Sequence, residues 1–261
     1  MNVQILVSTM NQTDYSLIDQ MNLFADSIVI NQCDQTNYTQ LNYNGHRIDW
    51  YNTETRGVGI SRNMAILYSS ADICLFADDD MVYDDQSLEN ILSAFKAYKD
   101  ADMIVFEVNG KGEKKTVSKR IRLMNAFSYG TFRIAVRRDA LIKKRIMFSV
   151  LFGGGAKYSC GEDTIFINDF LKNRLRCYFS ANVVGTNTQG PSTWFKGYNE
   201  KFIYDKGVLM RQIFGVIGII PLLLLLNKHL EWGDKLGKKK MMKLAVQGWK
   251  DFGENRKNGI F

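Results

Sequence analysis

Three consecutive carboxylates, Asp78-Asp79-Asp80, follow the apolar run Ile73-Cys74-Leu75-Phe76. Like charges one residue apart repel, so a chain accepts such a run at a solvated tip or where a cation offsets it. In a strand-like segment Asp78 and Asp80 project to the same side, a pair able to hold a hard divalent cation through oxygen. A solvated acidic turn is the alternative. Asp34 follows a second apolar run, and Arg62-Asn63 follow Gly57 and Gly59. Singly, Asp34 reads as an Asx turn, Arg62 as a helix-surface residue and the glycines as loop punctuation. Together they outline a crevice with an acceptor for a base or ribose, a cation for phosphates and a metal site. Gly57-x-Gly59 lacks the third glycine of the dinucleotide fingerprint, and no Walker A pattern occurs. Glu162-Asp163 open a helix after Gly161, where acidic side chains also simply suit the helix dipole.

These residues need a sheet to bring them together. Residues 3–8, 27–31, 46–51, 72–77 and 103–108 read as strands, and apolar residues at helical spacing lie at 17–24, 60–68 and 88–95. That alternation predicts an α/β fold, a mainly parallel, three-layer sheet whose carboxyl edge holds the crevice. Past residue 109 the pattern loosens. A basic surface excursion spans 111–122, a strand 131–137, a flexible glycine turn 153–155, a helix 162–171 and one more strand 176–180.

Hydrophobic residues make up 46% of the 261, enough for a substantial core. Cys33, Cys74, Cys160 and Cys177 lie far apart without C-x-x-C spacing, which argues against zinc and a disulfide framework. The N-terminus has neither a basic region nor a long apolar one, so no signal peptide is expected. The formal charge of +7 suits anionic lipid or phosphorylated substrates. Its excess sits in 111–122 and the tail rather than on an aromatic-studded face, so no nucleic-acid partner is expected.

The tail from 208 to 261 is expected to form a separate membrane-associating segment after a domain over 1–207. Ile213–Leu226 is an apolar run of 14 residues, short of the roughly 20 that span a bilayer. Pro221 within it is expected to break or kink a helix. Residues 228–261 carry nine Lys/Arg against four Asp/Glu, interleaved with apolar positions, the composition of an interfacial anchor on an anionic membrane.

The ordered set Asp34, "RGVGISRNMAI", "DICLFADDDM" and "CGEDTIF" resembles the inverting family 2 glycosyltransferases with the GT-A fold, including those that build bacterial capsular and exopolysaccharides. The resemblance covers residues 1–200. It implies a nucleotide-diphosphate sugar donor, most often a UDP-sugar, with Mg²⁺ or Mn²⁺ at Asp80 and Asp78. It further implies that Thr9, Asn11, Asp34, Arg62, Asn63, Asp78 and Asp79 line the donor nucleotide. Asp163 matches the family's catalytic base, with Glu162 shaping its pKa or binding acceptor. The family's processive synthases carry Q-x-x-R-W, whereas here "GPSTWF" stands nearest, so a single addition is expected, with Trp194 and Phe195 as lid or acceptor residues. His229 is a candidate late ligand to the metal. The acceptor is expected to be a glycan or lipid-linked, and the enzyme peripheral on the cytoplasmic face of the membrane. Two further readings are a sugar-phosphate nucleotidyltransferase, for which Ser8-Thr9-Met10-Asn11 lacks the glycine-rich signature, and a non-catalytic sugar-nucleotide-binding protein.

Overall fold

The structure, a computed structural model, describes residues 1–110, 112, 114–188, 197–233 and 236–258. The first strand already sets the frame: β1 (Val3–Met10) is flanked by β2 (Ser27–Gln32) and, on its other side, by β5 (Ile73–Asp78), both parallel to it. All three are buried on both faces, which is why each carries consecutive apolar residues, at 5–7, 28–30 and 73–77. Outward from β2 lie β4 (His46–Thr53), parallel, and β3 (Asn37–Tyr43), antiparallel at the edge. β3 was not expected from the sequence. It forms a hairpin with β4 through Asn44-Gly45, both at positive φ, the turn that matches strand twist.

The far half departs from a mainly parallel sheet. After the short β6 (Met81–Val82), β7 (Met103–Asn109) and β8 (Lys119–Arg120), the strand β9 (Ile134–Arg137) inserts antiparallel between β5 and β7. Residues 131–133, expected as strand, form a 3₁₀ turn that delivers the chain into β9. β10 (Cys177–Asn187) runs parallel to β7 with two register shifts, and pairs antiparallel with β6 and β8. The result is one mixed ten-stranded sheet, ordered β3-β4-β2-β1-β5-β9-β7-β10-β6 with β8 also on β10.

Side chains of β5 show the layering: Ile73, Leu75 and Ala77 enter one core, Cys74 and Phe76 the other. The first core is covered by α1 (Leu17–Met21) and α3 (Ser87–Ala97). The second is covered by α2 (Val58–Tyr68), α4 (Arg138–Lys144) and α5 (Glu162–Lys172). All four cysteines are free thiols.

The expected division at 207/208 falls inside a helix. Asn199 caps α6 (Glu200–Phe214) by accepting the Phe202 N–H, and Val208, Leu209 and Ile213 pack on Phe152, Tyr158 and Ile165. Core burial therefore makes the start of the tail part of the same folded unit. Pro221 does not break a helix either. Gly215, at φ +61°, ends α6, a 3₁₀ turn follows, and Pro221 sits in the first turn of α7 (Ile219–Lys228), where its missing N–H is not needed. α8 (Lys238–Lys257) lies along α6 at a glycine crossing: a Cβ on Gly207 would sit 1.8 Å from the Ala245 carbonyl oxygen, and one on Gly248 2.2 Å from that of Tyr204.

Candidate active site

β1, β2, β4 and β5 run parallel and end together, so their last residues form one edge. That edge is polar and cross-linked. Asn31 accepts the Gln12 N–H at 3.0 Å and donates to Asn52 at 2.8 Å, while Gln32 donates to the Thr55 and Gly57 carbonyls. Asn11 leaves β1 at φ +56°, its N–H donating to the Gln32 carbonyl at 3.0 Å and its side chain exposed. Gly59 is required by packing: a Cβ there would lie 2.3 Å from the Ser149 carbonyl oxygen.

β5 ends at Asp78, and Asp79 and Asp80 form a turn. The two-residue alternation that would set Asp78 and Asp80 on one side therefore stops before Asp80. Each carboxylate of the triplet meets its own surroundings. Asp78 Oδ1 accepts from Arg62 Nη2 at 2.8 Å. Asp79 Oδ2 accepts from Thr9 Oγ1 at 2.7 Å, and Thr9 accepts from Gln12 Nε2 at 2.9 Å. Burial pushes the Asp79 carboxyl above its ordinary range, with the Thr9 hydrogen bond opposing and the Asp78 charge adding. Asp80 is fixed through its backbone: its carbonyl accepts from the Thr188 N–H at 2.9 Å and the Thr188 hydroxyl at 3.0 Å.

Arg62 joins this turn to the start of α5. Its guanidinium is buried, donates from Nη1 to Glu162 Oε1 at 3.1 Å, and lies over the Phe148 ring at 5.4 Å. Burial works against its charge, but Asp78 and Glu162 more than offset that and hold it protonated. Asn63, one residue on, spends both ends of its amide on the Phe148 backbone, at 2.9 and 2.8 Å, and so holds α2 to the loop beneath Arg62.

Asp163 follows Glu162 in the first turn of α5, where its Oδ1 accepts from the Thr164 N–H at 2.6 Å. Burial and the neighbouring Glu162 charge raise its carboxyl to about 6, against the Thr164 bond and the positive charges of Arg62 and Lys206. A carboxylate titrating there is poised to take a proton near neutral pH.

Two contributors were not foreseen. Arg56, directly before Gly57, ion-pairs with the exposed Asp34 and donates to the Cys33 and Glu54 carbonyls at 3.0 and 2.9 Å. Asp205 of α6 is buried, and its Oδ2 accepts from Ser159 N (2.8 Å), Ser159 Oγ (2.7 Å) and Lys201 Nζ (2.8 Å). It thereby anchors the loop that leads into Glu162 and Asp163. The Asp205→Ala variant is expected to lose about 2–3 kcal/mol in urea unfolding, because three donors lose their acceptor. It should lower turnover more than nucleotide affinity; the reverse pattern would argue against a positioning role.

Trp194 and Phe195 lie outside the described residues. His229 Nδ1 is 2.8 Å from Glu231 Oε1, and its ring stacks on Trp232 at 4.5 Å. Among the described residues no trio of His, Cys, Asp or Glu forms a ready-made cation cage. Mg²⁺ and Mn²⁺ sites on phosphate substrates use one or two carboxylates and take further oxygens from the phosphates. Asp80, backbone-clamped beside Asp78, fits that donor set.

The sequence profile described as glycosyl transferase family 2 matches residues 8–157. No curated protein matches the chain. Among solved structures, S. aureus TarS 1–349 aligns at TM-score 0.63 with 14% identity, covering 99% of this chain and 92% of that one. Its complex with UDP-GlcNAc aligns at TM-score 0.63 with 15% identity over the same shares, 99% and 92%. The mannosyltransferase PcManGT from Pyrobaculum calidifontis, in complex with GDP-Man and Mn²⁺, aligns at 0.51 with 12% identity, covering 95% and 73%. At these identities the alignments speak for a shared GT-A-like fold.

Proposed function

The chain belongs to glycosyl transferase family 2, and from that premise we propose that it moves one sugar, with inversion, from a nucleotide-diphosphate sugar to a glycan or lipid-linked acceptor. The observation that carries the reading is the Arg62 bridge. One buried guanidinium links Asp78, on the carboxylate turn, to Glu162, beside a carboxyl whose pKa is about 6. In this reading the donor side and the base side are held together by that one guanidinium.

In this reading the nucleotide lies along the polar edge, with Thr9, Asn11, Asp34 and Asp79 as its neighbours and Arg56 orienting Asp34. Asp80 would chiefly hold Mg²⁺ or Mn²⁺, since Arg62 occupies Asp78 Oδ1, and the ion would supply charge neutralisation for the departing diphosphate. Asp163 removes the proton of the acceptor hydroxyl as that oxygen attacks the anomeric carbon from the face opposite the leaving group. Burial, with the negative charge of Glu162 beside it, keeps the Asp163 carboxyl basic enough for this. A UDP-sugar is the favoured donor, supported by the UDP-GlcNAc bound to the TarS relative of the fold, although the GDP-Man complex keeps guanine donors in the test. The excess of lysine in the tail supports an acceptor on an anionic membrane, as in surface-polysaccharide assembly, with the enzyme peripheral on its cytoplasmic face.

The test is a panel of UDP-, GDP- and dTDP-sugars incubated with the protein and Mn²⁺, followed by nucleotide release and NMR of the anomer formed. Release from one UDP-sugar with an inverted product is expected. Retention of configuration, or no release from any donor, would contradict the reading.

A further inference from the structure

α7 is apolar all round, but only half of it is covered. Leu222 and Leu226 are fully buried, in a cluster with Met210, Met241 and Ala245. On the other side Val216, Ile217, Ile220 and Leu224 are 66, 67, 62 and 67% exposed, with Leu223 beside them. The exposed positions 216, 217, 220, 223, 224, 227 and 228 fall on one helical stripe. That stripe is aliphatic until it ends in Asn227 and Lys228.

Three features say what covers it. The stripe has no Trp, Tyr or Arg, the residues that anchor protein–protein interfaces. Ile213–Lys228 contains no acidic residue, and α8, which packs alongside, exposes Lys238, Lys239, Lys240 and Lys243. A long-stemmed lysine at the end of an aliphatic stripe is placed to keep its ammonium among headgroups while its stem lies along the apolar layer.

We propose that this stripe seats the enzyme in one leaflet of an anionic bilayer, entering the boundary between headgroups and acyl chains without crossing it. Glu200–Lys228 is long and apolar enough to span a membrane by length and composition. α6, however, packs one face against the protein, burying Ile203, Val208, Leu209, Met210 and Ile213. The ten residues of α7 reach only about 15 Å, half of a hydrocarbon core. Both ends of α7 return to helices packed on the catalytic unit, so the chain enters and leaves the leaflet on the same side. The consequence for catalysis, an acceptor presented from the membrane plane, rests on the glycosyltransferase reading above; the seating itself does not.

Flotation of the full chain with vesicles tests it. Binding to phosphatidylglycerol-containing vesicles is expected to be at least tenfold tighter than to pure phosphatidylcholine. The double variant Ile217→Asp/Leu224→Asp should lose at least tenfold in vesicle affinity, with UDP binding in Mn²⁺ unchanged. An added reporter, Ile217→Trp, should show blue-shifted emission on vesicles and no change in secondary structure. Absent flotation, equal affinity for both compositions, or flotation unchanged by the double variant would overturn the proposal. So would a lipid-free dimer that the double variant dissociates, since the stripe would then be an interface between copies. Because UDP binding is read separately, failure of the membrane seat and failure of the transferase reading give different results.

Discussion

Asp163→Asn is expected to abolish transfer while leaving the donor site intact: kcat falls about 10³-fold, the usual contribution of a positioned general base, and nucleotide affinity stays within twofold. The wild-type rate carries a matching signature. With the Asp163 carboxyl raised to about 6, kcat/KM should climb through pH 6 and level off above it, because only the ionised form accepts the proton. The linkage to stability has the opposite sense. An unfolded Asp ionises near 3.9, so between about pH 4 and 6 the folded state holds a proton that the unfolded state has lost. Stability therefore drops across that window, and the cost is fully present at neutral pH. Asp163→Asn removes it, and the inactive variant should be more stable than wild type at pH 7.5 by on the order of 1 kcal/mol, the difference vanishing below about pH 4. A variant that is both inactive and less stable at pH 7.5 would point to a structural role for the carboxylate.

Arg62→Met is expected to be the most damaging change to the site as a whole. It leaves the Asp78 and Glu162 carboxylates facing a buried, uncharged side chain, and breaking a buried pair in this way costs about 3–5 kcal/mol. Arg62→Lys restores charge but not the two-pronged reach, so it should recover only part of the loss. A second readout separates architecture from electrostatics. Arg62 holds the Asp163 carboxyl down, so whatever activity survives in Arg62→Lys or Arg62→Met should have its acid limb at wild type's position or above it, and furthest above in Arg62→Met. Urea unfolding that matches wild type, with an unmoved acid limb, would show that the bridge does not organise the crevice.

Much of this is legible in the sequence. Strands buried on both faces, β1, β2, β5 and β7, announce themselves by runs of three or more consecutive apolar residues. Edge strands do not: β3 is mostly exposed, and its one signal was Asn44-Gly45 in the turn. β10 is eleven residues long but bulged at two points, which breaks the alternation that would reveal its length. The antiparallel insertion of β9 is a matter of topology, and no local pattern encodes it.

The site divides the same way. Charged residues at strand ends and in the first turn of a helix stand out by cost. Their partners do not, because Arg62 and Glu162 are separated by 100 residues and Ser159 and Asp205 by 46. The tail showed the limit of composition: hydropathy marked 213–226 as apolar, but only packing separates the residues of α7 that fill a core from those that face out.

Binding of a nucleotide diphosphate at the carboxylate turn through a divalent cation is what the proposed transfer requires. Calorimetric titration of UDP into the full chain, with and without Mn²⁺, and into Asp80→Asn with Mn²⁺, tests it most directly. Saturable binding in Mn²⁺ is predicted, weakened at least tenfold when Mn²⁺ is omitted or Asp80 is replaced. Binding that is indifferent to both changes, or no binding of UDP or GDP in Mn²⁺ at all, would contradict it.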